Sequence, residues 1–375
     1  MSGADRAGLV RFRRTQKSFG GIGMDQKLGR ASIRLQEPVY ILSSGSVVGT
    51  KEGQGPLGLL FDTVGEDDMF GCETWEDAES SLQKDAVYLA LTKAGLTQDQ
   101  ISFLFAGDLL GQSIATSFGI SIYQIPLLGV YGACSTCGES LTLGAMAIAG
   151  GYADRVVCVT SSHFASAEKE FRFPLEYGNQ RPLSATWTVT GSGAFVLGNE
   201  SAARGMRDEG LGEKKLRPRA KITGMTVGRI TDYGLKDSMN MGACMAPAAA
   251  DSLEQHFVDF GCQPEAYDKI ITGDLGKVGQ RVLIDLLREK NYDISTQHMD
   301  CGIEIFDAQS QDTHAGGSGC GCSAVTLAAY ILKQLEEHSW KKVLFMPTGA
   351  LLSKTSFNEG KSVPGIAHGV VIEAV

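Results

Sequence analysis

The sequence says the same thing twice, which restricts its fold more than any other feature. EPVYILSSGSVVGTKEG at 37–53 is echoed by RAKITGMTVGRITDYGL at 219–235, each giving a β-branched strand, a small-residue turn and a Val-Gly step. ISFLFAGDLLG at 101–111 recurs as YDKIITGDLGK at 267–277, an apolar strand running into Gly-Asp-Leu. The segment 132–162 pairs with 317–350, and VTGSGAFVLG at 189–198 answers GIAHGVVIEA at 365–374. Four matched segments in one order indicate two copies of a single α/β unit. Each copy reads as strand, helix, strand, small-residue helix, strand and closing strand. The strands lack polar alternation, as expected when helices cover both sheet faces. Helices are predicted at 76–95, 135–150, 248–261, 278–291 and 323–337. The Ala, Gly, Ser and Thr content of the second and last places them side by side at the centre. The predicted divisions are an N-terminal extension at 1–30 and halves at 31–204 and 205–375. Residues 199–218, charged and containing Gly, suit a surface linker between the copies.

Composition excludes some functions. The formal charge is −9, so nothing suggests the clustered cationic face that nucleic acid requires. Residues 1–40 hold no apolar signal core, and the longest nearly apolar run, 324–332, is too short to span a bilayer. Nine Cys, an odd number scattered through 375 residues, read as reduced thiols rather than a disulfide framework.

Two features carry chemistry. Cys134, in GACSTCGES, precedes a small-residue helix, where the positive end of the dipole lowers a thiol pKa. It is either a nucleophile or a small buried residue lining a tight junction. His314, in THAGGSGCG, is either a pocket group or a loop His bonded to a carbonyl. The Gly-rich run 315–319, with Gly316 and Gly317, offers backbone N–H groups to an anion or serves as turns needing positive φ. Cys134-x-x-Cys137 and Cys320-x-Cys322 together offer four thiolates to zinc, but Cys137 lies inside one predicted helix, Cys322 lies at the start of another, and Cys320-x-Cys322 lacks the usual zinc spacing, so no metal and no cofactor is expected.

A Cys opening the central helix of one copy, matched by His-x-Gly-Gly-Ser-Gly in the other, resembles the thiolase and ketoacyl-synthase superfamily. More narrowly, GPLGLLFD (55–62), AGDLL (106–110), YGACSTCGES (131–140), TSSHFASAEKEFRFPLEYGNQRP (160–182), MGACMAPAAADSL (241–253), HAGGSGCGCSAV (314–325) and PTGALLS (347–353) resemble the stage V sporulation protein AD family of spore-forming Firmicutes. The resemblance implies a thiolase-like α/β fold, two duplicated halves in a five-layer αβαβα arrangement. It also implies binding of dipicolinic acid (pyridine-2,6-dicarboxylate), alone or with calcium, during its uptake into the developing spore, without established catalysis. A homodimer peripheral to the spore inner membrane, associated with the other stage V sporulation A proteins, is implied as well.

The superfamily's catalytic set is incomplete here. The His loop lacks its Pro and is one residue short between His and Ser, and PGIAHGVV carries His368 where thiolases have a second Cys. The alternative is an acyl-transferring or condensing enzyme using Cys134 with His314. A flat dianion needs cations or N–H donors at two points with an apolar slot between. Around the strand end at 161–181 stand Ser161, Ser162, His163, Lys169, Phe171, Arg172, Phe173, Tyr177 and Arg181, of which His163 and Arg172 are favoured. The repeated Gly-Asp places Asp108 and Asp274 at matching strand ends, as helix caps or, with Asp237, as calcium ligands.

Overall fold

Five main strands in each half, and the helices between them, form the architecture. The computed structural model describes residues 26–171, 181–208 and 216–375. The first half runs β1 (Ser32–Val48), α1 (Trp75–Ala94), β2 (Phe103–Gly107), β3 (Leu127–Gly129), α2 (Thr136–Ala149), β4 (Arg155–Ser162), α3 (Phe164–Phe171) and β5 (Gly191–Gly198). The second runs β6 (Ala220–Thr226), α4 (Met241–Phe260), β7 (Lys269–Thr272), α5 (Gly276–Glu289), β8 (His298–Asp300), α6 (Cys320–Thr326), β9 (Lys342–Met346) and β10 (Gly369–Glu373). Beyond Thr326 the last helix passes through a π turn into Leu332–Glu336.

Strand order displays the duplication. The path is β8-β7-β9-β10-β6-β1-β5-β4-β2-β3, so each half reads the same outward from the β6–β1 junction. The first and closing strands pair antiparallel, and the inner strands of each half pair in parallel. The edge strands β3 and β8 are short additions that the repeated segments do not contain.

Side-chain period accounts for the missing polar alternation. Along β4, Val156 and Cys158 enter the core between the halves, whereas Val157 and Val159 enter an outer core under α1. Along β9, Val343 and Phe345 face the same central core, and Leu344 and Met346 face a second outer core built on α4 and α5. Successive strand residues point to opposite faces, and here both faces are interior. Three cores therefore separate five layers: outer helices, sheet, central helices α2 and α6, sheet, outer helices. At the centre backbones nearly touch. A Cβ on Gly193 would lie 2.6 Å from the carbonyl carbon of Ala324 on α6.

Two sequence expectations need correction. Helix α4 begins at Met241 rather than 248, with the Asn240 side chain accepting from the Ala243 N–H. Pro247 forfeits one backbone hydrogen bond, but Met241, Met245 and Ala246 are buried in the outer core and hold the first turns in place. The expected linker contains a helix, Glu200–Asp208, whose Ala202, Ala203 and Met206 pack into the first half's outer core.

Candidate functional site

A tight turn delivers Cys134. Ala133 has φ of 50°, a left-handed conformation uncommon outside glycine. The Ser135 hydroxyl donates to the Gly132 carbonyl at 2.7 Å and that of Thr136 to the Ala133 carbonyl at 2.6 Å, which fixes the turn. Helix α2 starts at Thr136, so the sulfur stands before its amino end and points towards the other half.

The group that meets it is a carboxyl. The Cys134 thiol lies beside Asp274, just past the end of β7, whose oxygens accept from the Gly319 N–H and the Thr348 hydroxyl, both at 2.9 Å. Burial pushes Asp274 up to about 7. The Cys134 thiol is held well above its usual range, first by burial and then by the charge of Asp274. The expected dipole effect is overridden: a half-charge at a helix end does not offset desolvation beside a carboxylate.

Cys134 closes the floor of a cavity of ≈ 110 Å³. Leu109, Met241 and Leu352 form its apolar walls, with Tyr131 and Ser318 completing the lining. Tyr131 is 48% exposed, and its phenol, ordinarily about 10, is a neutral hydroxyl at physiological pH. At the mouth Lys354 and Glu170 face each other at 3.5 Å. The walls come from both halves.

Most residues singled out in the sequence lie elsewhere. His314 does not line the cavity; its Nδ1 is 2.9 Å from the Pro182 carbonyl and its Nε2 3.1 Å from Asp312. With φ of 52° and those two partners, the ring is anchored away from the thiol. His163 is buried, its Nδ1 accepting from the Ala165 N–H and its Nε2 donating to the Asp68 carbonyl at 2.7 Å. That pairing fixes a neutral tautomer with no free nitrogen, and burial lowers its pKa. Ser162 donates to the Val189 carbonyl and accepts from the Gly321 N–H. Asp108, unlike its repeat partner, caps a local turn, taking the Leu110 N–H and both donors of Thr116 at 2.6 to 2.8 Å.

Gly316 and Gly317 serve the chain itself. The Gly316 N–H bonds to Thr313, its carbonyl accepts from Trp187, and Gly317 pairs with Trp187 in a two-residue parallel ladder. Asp237 is exposed and caps its own loop at Met239. Lys169 pairs with Glu76, and Arg181 with Asp312. His368 is buried, accepting from the Gly228 N–H. Arg172, Phe173 and Tyr177 fall outside the described residues. Among the described residues no three His, Cys, Asp or Glu side chains gather as a metal site, and no helix is long and apolar enough to cross a membrane.

Comparison with known proteins places the chain. Residues 29–373 match the family described as Stage V sporulation protein AD. The chain belongs to that family. Stage V sporulation protein AD of Bacillus subtilis (strain 168) is 42% identical over 345 residues, covering 92% of this chain and 97% of the relative. Among solved structures, human mitochondrial 3-ketoacyl-CoA thiolase in complex with CoA aligns with TM-score 0.55 at 13% identity over 91% of this chain and 99% of that one. The 3-oxoacyl-[acyl-carrier-protein] synthase III of Aquifex aeolicus VF5 gives 0.53 at 14% identity over 89% and 99%. The fold is thiolase-like.

Six of the seven segments that carry the sequence resemblance contribute to one place. Leu109, Tyr131 and Cys134, Glu170, Met241, Ser318 and Leu352 each come from a different block among those resembling the family, and GPLGLLFD alone adds nothing to the cavity. Tyr131, Met241, Ser318 and Leu352 were therefore present in the quoted blocks, but nothing in spacing marked them as neighbours. Lys354, one residue past PTGALLS, carried no signal.

Proposed function

We propose that this sporulation-family protein binds dipicolinate in the Cys134 cavity and takes part in its uptake into the developing spore. The observation that supports this most is that six segments carrying the sequence resemblance line one small cavity with apolar walls, hydroxyl-bearing side chains and a lysine at its mouth. An aromatic ring suits the slot between Leu109, Met241 and Leu352, one carboxylate suits Lys354, and the hydroxyls of Tyr131 and Ser318 are donors for the other.

The acyl-transfer alternative has less support. All six His lie in the described residues, and none lines the cavity. The thiol has a carboxyl as its neighbour in place of an imidazole base, and remains protonated.

The same reading has the protein act as a homodimer that docks peripherally on the spore inner membrane through other stage V sporulation A proteins. Strand β3 supports the dimer: it pairs on one side with β2, and its own Leu127 and Leu128 are exposed, as are Phe118 and Ile122 shortly before it in the chain, an edge suited to a second copy. Isothermal titration of the full chain with dipicolinate at neutral pH tests the ligand assignment. Saturable binding with one site per chain, lost in Met241→Trp, is expected; no heat at millimolar ligand would refute it.

A further inference from the structure

The cavity's mouth carries a charge pair whose two members have opposite interests in an anion. Among the described lining residues Lys354 is the one cation and Glu170 the one carboxylate. Glu170 stands near the end of α3 in the first half, and Lys354 opens the short helix Lys354–Asn358 in the second. Their 3.5 Å contact therefore ties the halves together across the entrance. Both side chains are substantially exposed, at 37% and 50%. Ion pairs of that kind contribute little net stability and exchange partners readily.

We infer that the Glu170–Lys354 pair is a ligand-exchangeable latch: an entering carboxylate takes Lys354 from Glu170, so Lys354 sets the requirement for an anion and Glu170 restrains its entry. This rests on the cavity being the dipicolinate site. The physical argument is a competition. Lys354 carries one ammonium on a flexible stem and can pair with a resident carboxylate or an incoming one, and whichever it leaves loses its counter-ion at the rim. Glu170 consequently opposes the ligand twice, first by holding its partner and then by repelling it once displaced. A residue with a purely structural role would weaken binding when changed. Glu170 should do the reverse.

The test is a titration of the full-length chain and of Glu170→Gln and Lys354→Gln with dipicolinate at low salt, each variant checked for an unchanged unfolding transition. The latch predicts that Lys354→Gln weakens binding by about tenfold, the loss of one charge-assisted contact. It predicts that Glu170→Gln tightens binding by about threefold or more, with this gain shrinking at high salt. Weakening or no change in Glu170→Gln, with the wild-type chain still binding, would overturn the latch and leave the cavity assignment standing. Failure of the wild-type chain to bind would remove the cavity assignment, and the latch with it.

Discussion

The thiol of Cys134 lies beside the carboxyl group of Asp274, a residue of the opposite half. The two residues come from different repeat positions of opposite halves: Asp274 answers Asp108, and the Cys134 segment answers the one containing Gly319 and Cys320. Burial, and after it the charge of Asp274, hold that thiol well above its usual range on a thiolase-like scaffold.

Low thiol reactivity follows. At pH 7 Cys134 should resist iodoacetamide in intact-mass and peptide-mapping measurements, while Cys72 and Cys262, half-buried, react first. In Asp274→Asn the acidic neighbour is gone, and labelling of Cys134 should quicken relative to the unaltered chain. Rapid labelling in the unaltered chain would contradict the assigned environment.

Buried carboxyls also give stability a definite slope with pH. Burial pushes Asp274 up to about 7, Asp300 to about 6 and Glu52 to about 8. Each binds its proton more tightly folded than unfolded, so its stabilising effect is complete below its ordinary value and is lost as pH rises through the folded value. Burial lowers His256 to about 3 and His298 and His368 to about 4, which acts in the opposite sense. That opposing contribution ends near the ordinary imidazole value of about 6.5. Between pH 6.5 and 8.5 the carboxyls are unopposed by these histidines, and the melting temperature should fall. Asp274→Asn should flatten this decline, as differential scanning fluorimetry across that range would record.

The central seam offers a packing test. Gly193→Ala would set a methyl 2.6 Å from the Ala324 carbonyl carbon, a contact relieved only by parting β5 from α6. A loss of about 2–3 kcal/mol is expected, measured as a lower urea midpoint. An unchanged midpoint would mean that the central layer is looser than described.

The duplicated α/β architecture was readable because each repeat carried its own strand and turn chemistry, and because small residues on α2 and α6 announce close backbone approach. The site was less readable. Cys134 was found from its place before a helix, whereas the partner that decides its chemistry, Asp274, had the same local sequence as the purely structural Asp108. What distinguishes them is the surroundings: Asp108 is saturated by its own loop at Leu110 and Thr116, whereas Asp274 accepts from Gly319 and Thr348, distant in sequence, and has the Cys134 thiol of the other half beside it. His163 and His314 were attractive as side chains beside strand ends, but which backbone carbonyl or N–H each would meet depends on loops distant in sequence.

A crystal structure of the chain soaked with dipicolinate measures the ligand's place directly. Density for the pyridine ring is expected between Leu109 and Leu352, with one carboxylate on Lys354 and the other near Tyr131 and Ser318 above the Cys134 sulfur. An empty cavity at saturating ligand, or dipicolinate bound at a different surface, would contradict it.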